Sequence, residues 1–269
     1  MRIGIEHSTV YHFDKPVPYA LQRARLMPKT THGQKVLSWR MEIDNGRCES
    51  EYDDQHFNHV SLLSVTPGST EVHIRCIGEV ETVDNAGILG NHSGYVPLWL
   101  FRRETALTHP SPAIVRLCGT VSKQMPKDAA DIARLHALSA AIADEVAYET
   151  GRTDAATTAD EALSTGFGVC QDHAHIFIAC ARHMGYPARY VSGYLVMDGH
   201  IRQDAGHAWA EAHIDGLGWV GFDISNRICP DERYVRVASG LDYRDAAPVT
   251  GMLFGAGDKS MVVSLQVEQ

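Results

Sequence analysis

The apolar residues of this chain change their spacing twice, and that change limits the fold more than any single composition figure. Up to about residue 105 the pattern alternates. Ile3, Ile5, His7, Thr9, Tyr11 and Phe13 share one side of an extended backbone, as do Leu37, Trp39, Met41 and Ile43, then Val72, Ile74, Cys76, Gly78 and Val80. A period of two marks strands with one buried face. Breakers at Lys15-Pro16, Thr31-His32-Gly33, Asn45-Gly46 and Pro67-Gly68 fall at the spacing of a sandwich or a multi-stranded antiparallel sheet. Asp53, Asp54, His56 and His59 are expected in a loop between strands.

Past Thr108-His109-Pro110-Ser111-Pro112 the period lengthens, and the prolines there set an expected boundary between a β domain, 1–107, and a second domain, 108–269. Ile132, Leu135, Leu138, Ile142 and Val146 recur at three- and four-residue spacing after Pro126-Lys127-Asp128, predicting a long amphipathic helix that ends near Gly151. Thr157 with Asp160, and Thr158 with Glu161, fit the capping box of a short helix through Leu163. Ser164 to Gly168 breaks it. A second long helix is expected from about Cys170, with Ala174, Phe177, Ile178, Ala181 and Met184 on one face and an exit at Gly185 and Pro187.

From Ala188 the period returns to two. Strands are expected over 188–197, 204–214 and 218–225, turning at Asp198-Gly199 and Asp215-Gly216-Leu217-Gly218, with shorter ones at 232–238 and 260–268. Helices first and antiparallel strands afterwards describe an α+β class: a sandwich-like all-β domain, then helices packed on an antiparallel sheet.

Charge and cysteine usage narrow the function. Across 269 residues, 24 Lys and Arg face 33 Asp and Glu, a net charge of −9, and the basic residues cluster only in pairs such as Arg102-Arg103. Nucleic acid is therefore not an expected partner. The six cysteines are scattered without a CxxC, which indicates neither a structural zinc nor a disulfide framework. Met1-Arg2-Ile3-Gly4-Ile5-Glu6-His7 is too polar for a signal-peptide core, and no apolar run approaches the roughly 18 residues of a membrane helix. The expected setting is cytoplasmic, with no membrane partner. Fifteen histidines keep metal binding open as an alternative.

Three residues carry the chemistry. Gly166 and Gly168 allow a tight turn into the helix at Cys170, whose free amides and positive dipole end favour a thiolate and can also hold a tetrahedral oxyanion. A buried cysteine at a helix start is also commonly just a small apolar residue. In Gly206-His207-Ala208-Trp209-Ala210-Glu211-Ala212, the residues His207, Trp209 and Glu211 project to one face of a strand and the alanines to the other. A thiol nucleophile needs an imidazole as base and later as acid, although a lone strand histidine is often structural. Asp223 closes Trp219-Val220-Gly221-Phe222-Asp223, and reaches His207 only if the hairpin through Asp215 to Gly218 pairs odd positions with odd. An odd-with-even register puts the two on opposite faces.

Four blocks, Gly168-Val169-Cys170-Gln171-Asp172, Pro187 to Tyr194, His207-Ala208-Trp209 and Gly218 to Asp223, occur in one order over about sixty residues. They resemble the bacterial transglutaminase-like cysteine protease family of the transglutaminase-like superfamily. Weaker likeness at His7 to Tyr11, Leu100 to Pro112 and Asp242 to Val249 extends it over essentially the whole chain. The resemblance implies a papain-like Cys-His-Asp site formed by Cys170, His207 and Asp223, on a transglutaminase-like core behind an N-terminal β domain. The family commonly continues its final Asp with Pro-Thr, whereas Ile224-Ser225 follows here, which bears on the turn after Asp223.

Neighbouring residues carry weaker expectations. Asp172 favours the helix dipole but opposes a nearby thiolate, and reads as structural. Gln171 is a candidate near the oxyanion, yet papain-type enzymes place that glutamine before the cysteine and none lies between Gly151 and Val169, so the backbone amide of Cys170 is the expected donor. Tyr194 and Trp209 are candidate groove residues, and Arg189 is expected to pair with a carboxylate.

The expected activity is thiol-dependent acyl transfer from a peptide or amide substrate to water, as a peptidase or amidase without a cofactor. No acceptor-binding feature or DxDxDG calcium loop is evident. Transfer to an amine, as in a transglutaminase, is the alternative. A metal-binding protein using Cys170, Asp172, His173, His175 and His207 is a further one, opposed by a helical spacing that does not converge on one point. A silent interaction module, docking a protein partner through the β domain, is the last.

Overall fold

The computed structural model of the chain describes residues 1–197, 199–254 and 259–269, so Asp198 of the expected Asp198-Gly199 turn lies outside the described residues. The alternating first third forms strands β1 (Arg2–Val17), β2 (Tyr19–Ala24), β3 (Gln34–Asp44), β4 (Gly46–Asp53), β5 (His59–Val65) and β6 (Ser69–Thr82), with β7 (Ile88–Gly90) after them. In β1 the predicted face, Ile3 to Phe13 at every second position, is buried. Lys15-Pro16 does not end that strand. The register with β6 shifts between His12 and Val17, and such an irregularity tolerates a residue with no N–H. Asp54 and His56 do lie between strands, but Asp53 ends β4 and His59 begins β5.

The rest of the chain forms α1 (Pro112–Gln124), α2 (Asp131–Glu145), β8 (Ala147–Tyr148), α3 (Ala159–Thr165), β9 (Phe167–Gly168), α4 (Cys170–His183), β10 (Ala188–Leu195), β11 (Arg202–Gln203), β12 (His207–Ile214), β13 (Gly218–Phe222), β14 (Tyr234–Gly240), α5 (Tyr243–Ala246), β15 (Val249–Phe254) and β16 (Lys259–Glu268). Among the described residues no helix is long and apolar enough to cross a membrane.

Helix α1 is absent from the sequence expectation. Pro112 stands at its first turn, where a missing N–H costs nothing, and the Ser111 hydroxyl accepts from the Ile114 amide at 3.3 Å. Helix α2 stops at Glu145, short of Gly151, because the chain extends into β8, which pairs parallel with β9. The Thr158–Glu161 capping box opens α3 as expected, and Gly166 closes it with a φ of 73°.

Four layers result. Strands β11-β16-β1-β6-β3 and β15-β2-β5-β4 form two antiparallel sheets with a shared core that includes Tyr11, Phe13, Leu63, Val65 and Ile74. A third sheet, β14-β10-β12-β13-β7, packs one face on α1 to α4 and the other on the first sheet, where Ile3, Ile5 and Val267 meet Tyr194, Val235 and Val237. Buried on both faces, β10 carries no exposed residue. The sheets do not part at residues 107 and 108 as the sequence suggested. Strands β15 and β16 return to the N-terminal sheets, and β7 joins the third one. Long-range pairing of this kind leaves no local sequence signal.

Tight approach at the centre of the third sheet depends on Gly193, where an added Cβ would stand 2.1 Å from the Val235 carbonyl oxygen and 2.8 Å from the Trp209 ring. Gly193→Ala is expected to cost about 1–3 kcal/mol, measured by denaturant unfolding against the parent chain.

Candidate active site

Helix α4 begins at Cys170 because Asp172 caps it: one carboxylate oxygen accepts from the Val169 amide at 2.8 Å and from the Thr153 hydroxyl at 2.7 Å. Gly168 leaves room for this, since a Cβ there would lie 2.7 Å from that of Asp172. Burial pushes the Asp172 carboxyl up, against these hydrogen bonds. From Asp172 to Arg182 the helix is buried on every side, so its polar residues need internal partners. His173 bonds the Ser225 hydroxyl at 2.8 Å and the Val146 carbonyl at 3.0 Å, and His175 accepts from the Tyr243 amide at 3.2 Å. Burial lowers both imidazoles, His175 to about 3. These contacts bind α4 to its neighbours, and among the described residues no group of His, Cys, Asp and Glu is arranged to hold a metal ion.

Strand β12 carries His207 to the start of α4. Its pairing with β13 is odd with odd, Glu211 opposite Gly221 and His213 opposite Trp219, and His207 Nε2 lies 2.6 Å from Asp223 Oδ2. The other ring nitrogen is left for the Cys170 thiol, which lines the same groove. Burial alone would lower His207, but the hydrogen bonds to Asp223 and Cys170 and their negative charge outweigh it and raise the imidazole to about 10. Burial likewise acts to raise the Asp223 carboxyl, and His207, Tyr234 and Asn226 together hold it below the ordinary carboxylate range.

Two supports of Asp223 were not anticipated. The Tyr234 hydroxyl donates to Oδ2 at 2.7 Å, and Asn226 donates from its side chain to Oδ2 at 2.7 Å and from its backbone to Oδ1 at 3.2 Å. Asn226 lies in the turn that replaces the family's Pro-Thr, and an Asp with an Asn three residues on is a readable turn signal. Tyr234 carries no such signal. Tyr234→Phe removes one donor, so the Asp223 carboxyl rises and the acidic limb of the activity profile is expected to move to higher pH; a pH–rate comparison checks it.

A groove of about 250 Å³ opens over Cys170 and His207, lined also by Gln171, Tyr190, Tyr194, Leu26 and Met261. It draws on β1, β10, β12 and β16, so the β layer forms part of its wall. Gln171 and Tyr194 both line it, Tyr194 with its hydroxyl 3.1 Å from His7 Nδ1. Trp209 does not. It is buried behind His207, stacked on that ring with centroids 6.3 Å apart and edge-on to Tyr234 at 5.4 Å, because residues two apart on a strand share one face. Arg189 has its carboxylate: Glu211, fully buried, takes Arg189 on one oxygen and Arg236 on the other at 2.9 Å.

Two family models match this chain. The bacterial transglutaminase-like N-terminal region covers residues 3–81, and the transglutaminase-like superfamily core covers residues 119–224, the stretch that holds Cys170, His207 and Asp223. Residues 119–224 form a transglutaminase-like superfamily core. This is a family of cysteine hydrolases and acyltransferases, and full-length relatives of the present member occur in mycobacteria. An uncharacterized protein of Mycobacterium leprae is 27% identical over 280 residues, covering 99% of this chain and 98% of its own length. Another, of Mycobacterium tuberculosis, is 28% identical over 294 residues, covering 99% and 92%. The same fold is seen in a crystal structure described as a "Putative Cysteine Protease" from Cytophaga hutchinsonii, with a TM-score of 0.76 and 23% identity, over 100% of this transglutaminase-like chain and 91% of that one.

Proposed function

We propose that this transglutaminase-like protein is a thiol-dependent acyl-transfer enzyme that hydrolyses a peptide or amide bond, with Cys170, His207 and Asp223 as its reacting and orienting residues. The observation that carries this reading is that Cys170 and His207 line one open groove while Asp223 holds the His207 ring from behind at 2.6 Å. The raised imidazole stays protonated through neutral pH and serves as counter-ion to the sulfur. The sulfur attacks the amide carbon and the carbonyl oxygen takes the electron pair, facing the free amides at the start of α4, with that of Cys170 the expected donor. Collapse breaks the C–N bond while His207 gives its proton to the leaving amine. Neutral His207 then takes a proton from water as the water attacks the thioester, and the sulfur leaves. Asp223 holds the ring in one orientation and stabilises its protonated form throughout.

Transfer to an amine uses the same thioester and differs only in the second nucleophile. Incubation with a peptide library carrying glutamine and C-terminal amides, with and without a primary amine, reads both outcomes by mass spectrometry. Products in which water has replaced ammonia or a leaving peptide support the hydrolase; amine adducts in their place support a transglutaminase. Absence of both products from wild type, or equal product from a Cys170→Ala variant, overturns thiol-dependent acyl transfer.

A further inference from the structure

On the side of the third sheet away from α4, a second cavity of about 330 Å³ lies between that sheet and the loops of the β layer. It is separate from the groove: neither Cys170 nor His207 lines it. Its wall carries Lys29, His32, His56, Arg189 and Arg236, together with Trp219, and among the described residues no acidic side chain, although the chain as a whole has a net charge of −9. Carboxylates that pair with these groups stand behind them. Asp53 takes Lys29 at 2.6 Å, Asp245 takes His56 Nε2 at 3.2 Å, and Glu211 takes Arg189 and Arg236, leaving one of those two guanidinium charges uncompensated.

Donor capacity is left over as well. Each guanidinium spends its Nε on Glu211, and among the described residues no other hydrogen bond of either is present, so the terminal N–H groups remain for the cavity. His56 has a side chain only 2% exposed, and its Nδ1 is buried with no partner. Arg189 lies 4.0 Å over the Trp219 ring, which holds its planar fork in place.

We propose that this cavity is a binding site for a small polyanion, a molecule bearing two or more phosphate or carboxylate groups, gripped by Arg189 and Arg236 at the base and by Lys29 and His32 at the mouth. The volume admits a compact ligand and excludes a folded partner. Arginine forks fit both phosphate and carboxylate, and the choice between these two sources is an experimental one.

Titration of the full chain with inorganic pyrophosphate and with citrate, followed by calorimetry and by tryptophan fluorescence, tests the site. One equivalent of one or both probes is expected to bind per chain, with an affinity that falls as salt rises, and the tighter probe identifies the headgroup class. A Lys29→Gln, His32→Gln double variant, altered only at the cavity mouth, is expected to bind at least tenfold more weakly while its circular dichroism stays unchanged. Wild-type protein alkylated at Cys170 should bind as before. Absence of saturable binding by both probes, full affinity in the double variant, or loss of binding on alkylation each overturns the proposal. The readout is binding alone and is independent of acyl transfer.

Discussion

His207→Ala is expected to lower acyl-transfer turnover by about 10²- to 10⁴-fold and to slow alkylation of Cys170. The ring supplies the proton for the leaving amine and the positive charge beside the sulfur, and among the described residues its hydrogen-bonded carboxylate is Asp223. The imidazole is raised from 6.5 to about 10, so its charge-pair contribution is complete below the unfolded value and lost as pH rises toward 10. Asp223 is shifted down, so its share is present above the unfolded carboxylate value and lost on acidification. Between these limits, at pH 6, iodoacetamide should modify Cys170 faster than exposed Cys48 in the parent chain and no faster in the variant. Peptide-resolved mass spectrometry measures both. Equal rates at the two cysteines in the parent chain would sink the ion-pair account.

Glu211→Ala is expected to destabilise the fold by about 3–5 kcal/mol, the largest effect anticipated for a residue outside the groove. Its carboxylate is completely buried and shared between Arg189 and Arg236, with Arg189 lowered to about 10 by burial. Removal leaves two neighbouring guanidiniums with no counter-charge, one of them held over the Trp219 ring. For a domain of this size the loss corresponds to a drop in melting temperature on the order of 10 °C, read by calorimetry. A loss under about 1 kcal/mol would mean that water enters and solvates the arginines. Arg189→Met with Glu211→Leu, which removes one charge of each sign, should cost less than Glu211→Ala.

Much of the site was legible locally. The Gly166 to Cys170 turn, the capping pair of α3 and the parity that puts His207, Trp209 and Glu211 on one face all rest on interactions within a few residues. The same parity could not say which partner each side chain meets. It grouped Trp209 with the groove, and the packing of the ring under His207 sends it behind the site instead. Helix α1 was missed for a related reason: a proline that breaks a helix interior is favoured at its first turn, and only the Ser111 cap distinguishes the two.

What the sequence by itself determined is the inventory: an α+β class, a thiol at the start of a helix, an imidazole on a strand and a carboxylate at a strand end. Tertiary structure alone decided three things: that the hairpin pairs odd with odd, so that His207 and Asp223 meet at 2.6 Å; that Tyr234 and Asn226 hold the carboxylate; and that β15 and β16 travel back to close the N-terminal sheets and wall the groove. The reason is one of range. Periodicity and capping come from forces between residues a few positions apart, whereas register, buried ion pairs and cavities come from contacts between segments distant in sequence, Gln34 with Arg236 or Ile5 with Val267, which the chain selects only as it packs.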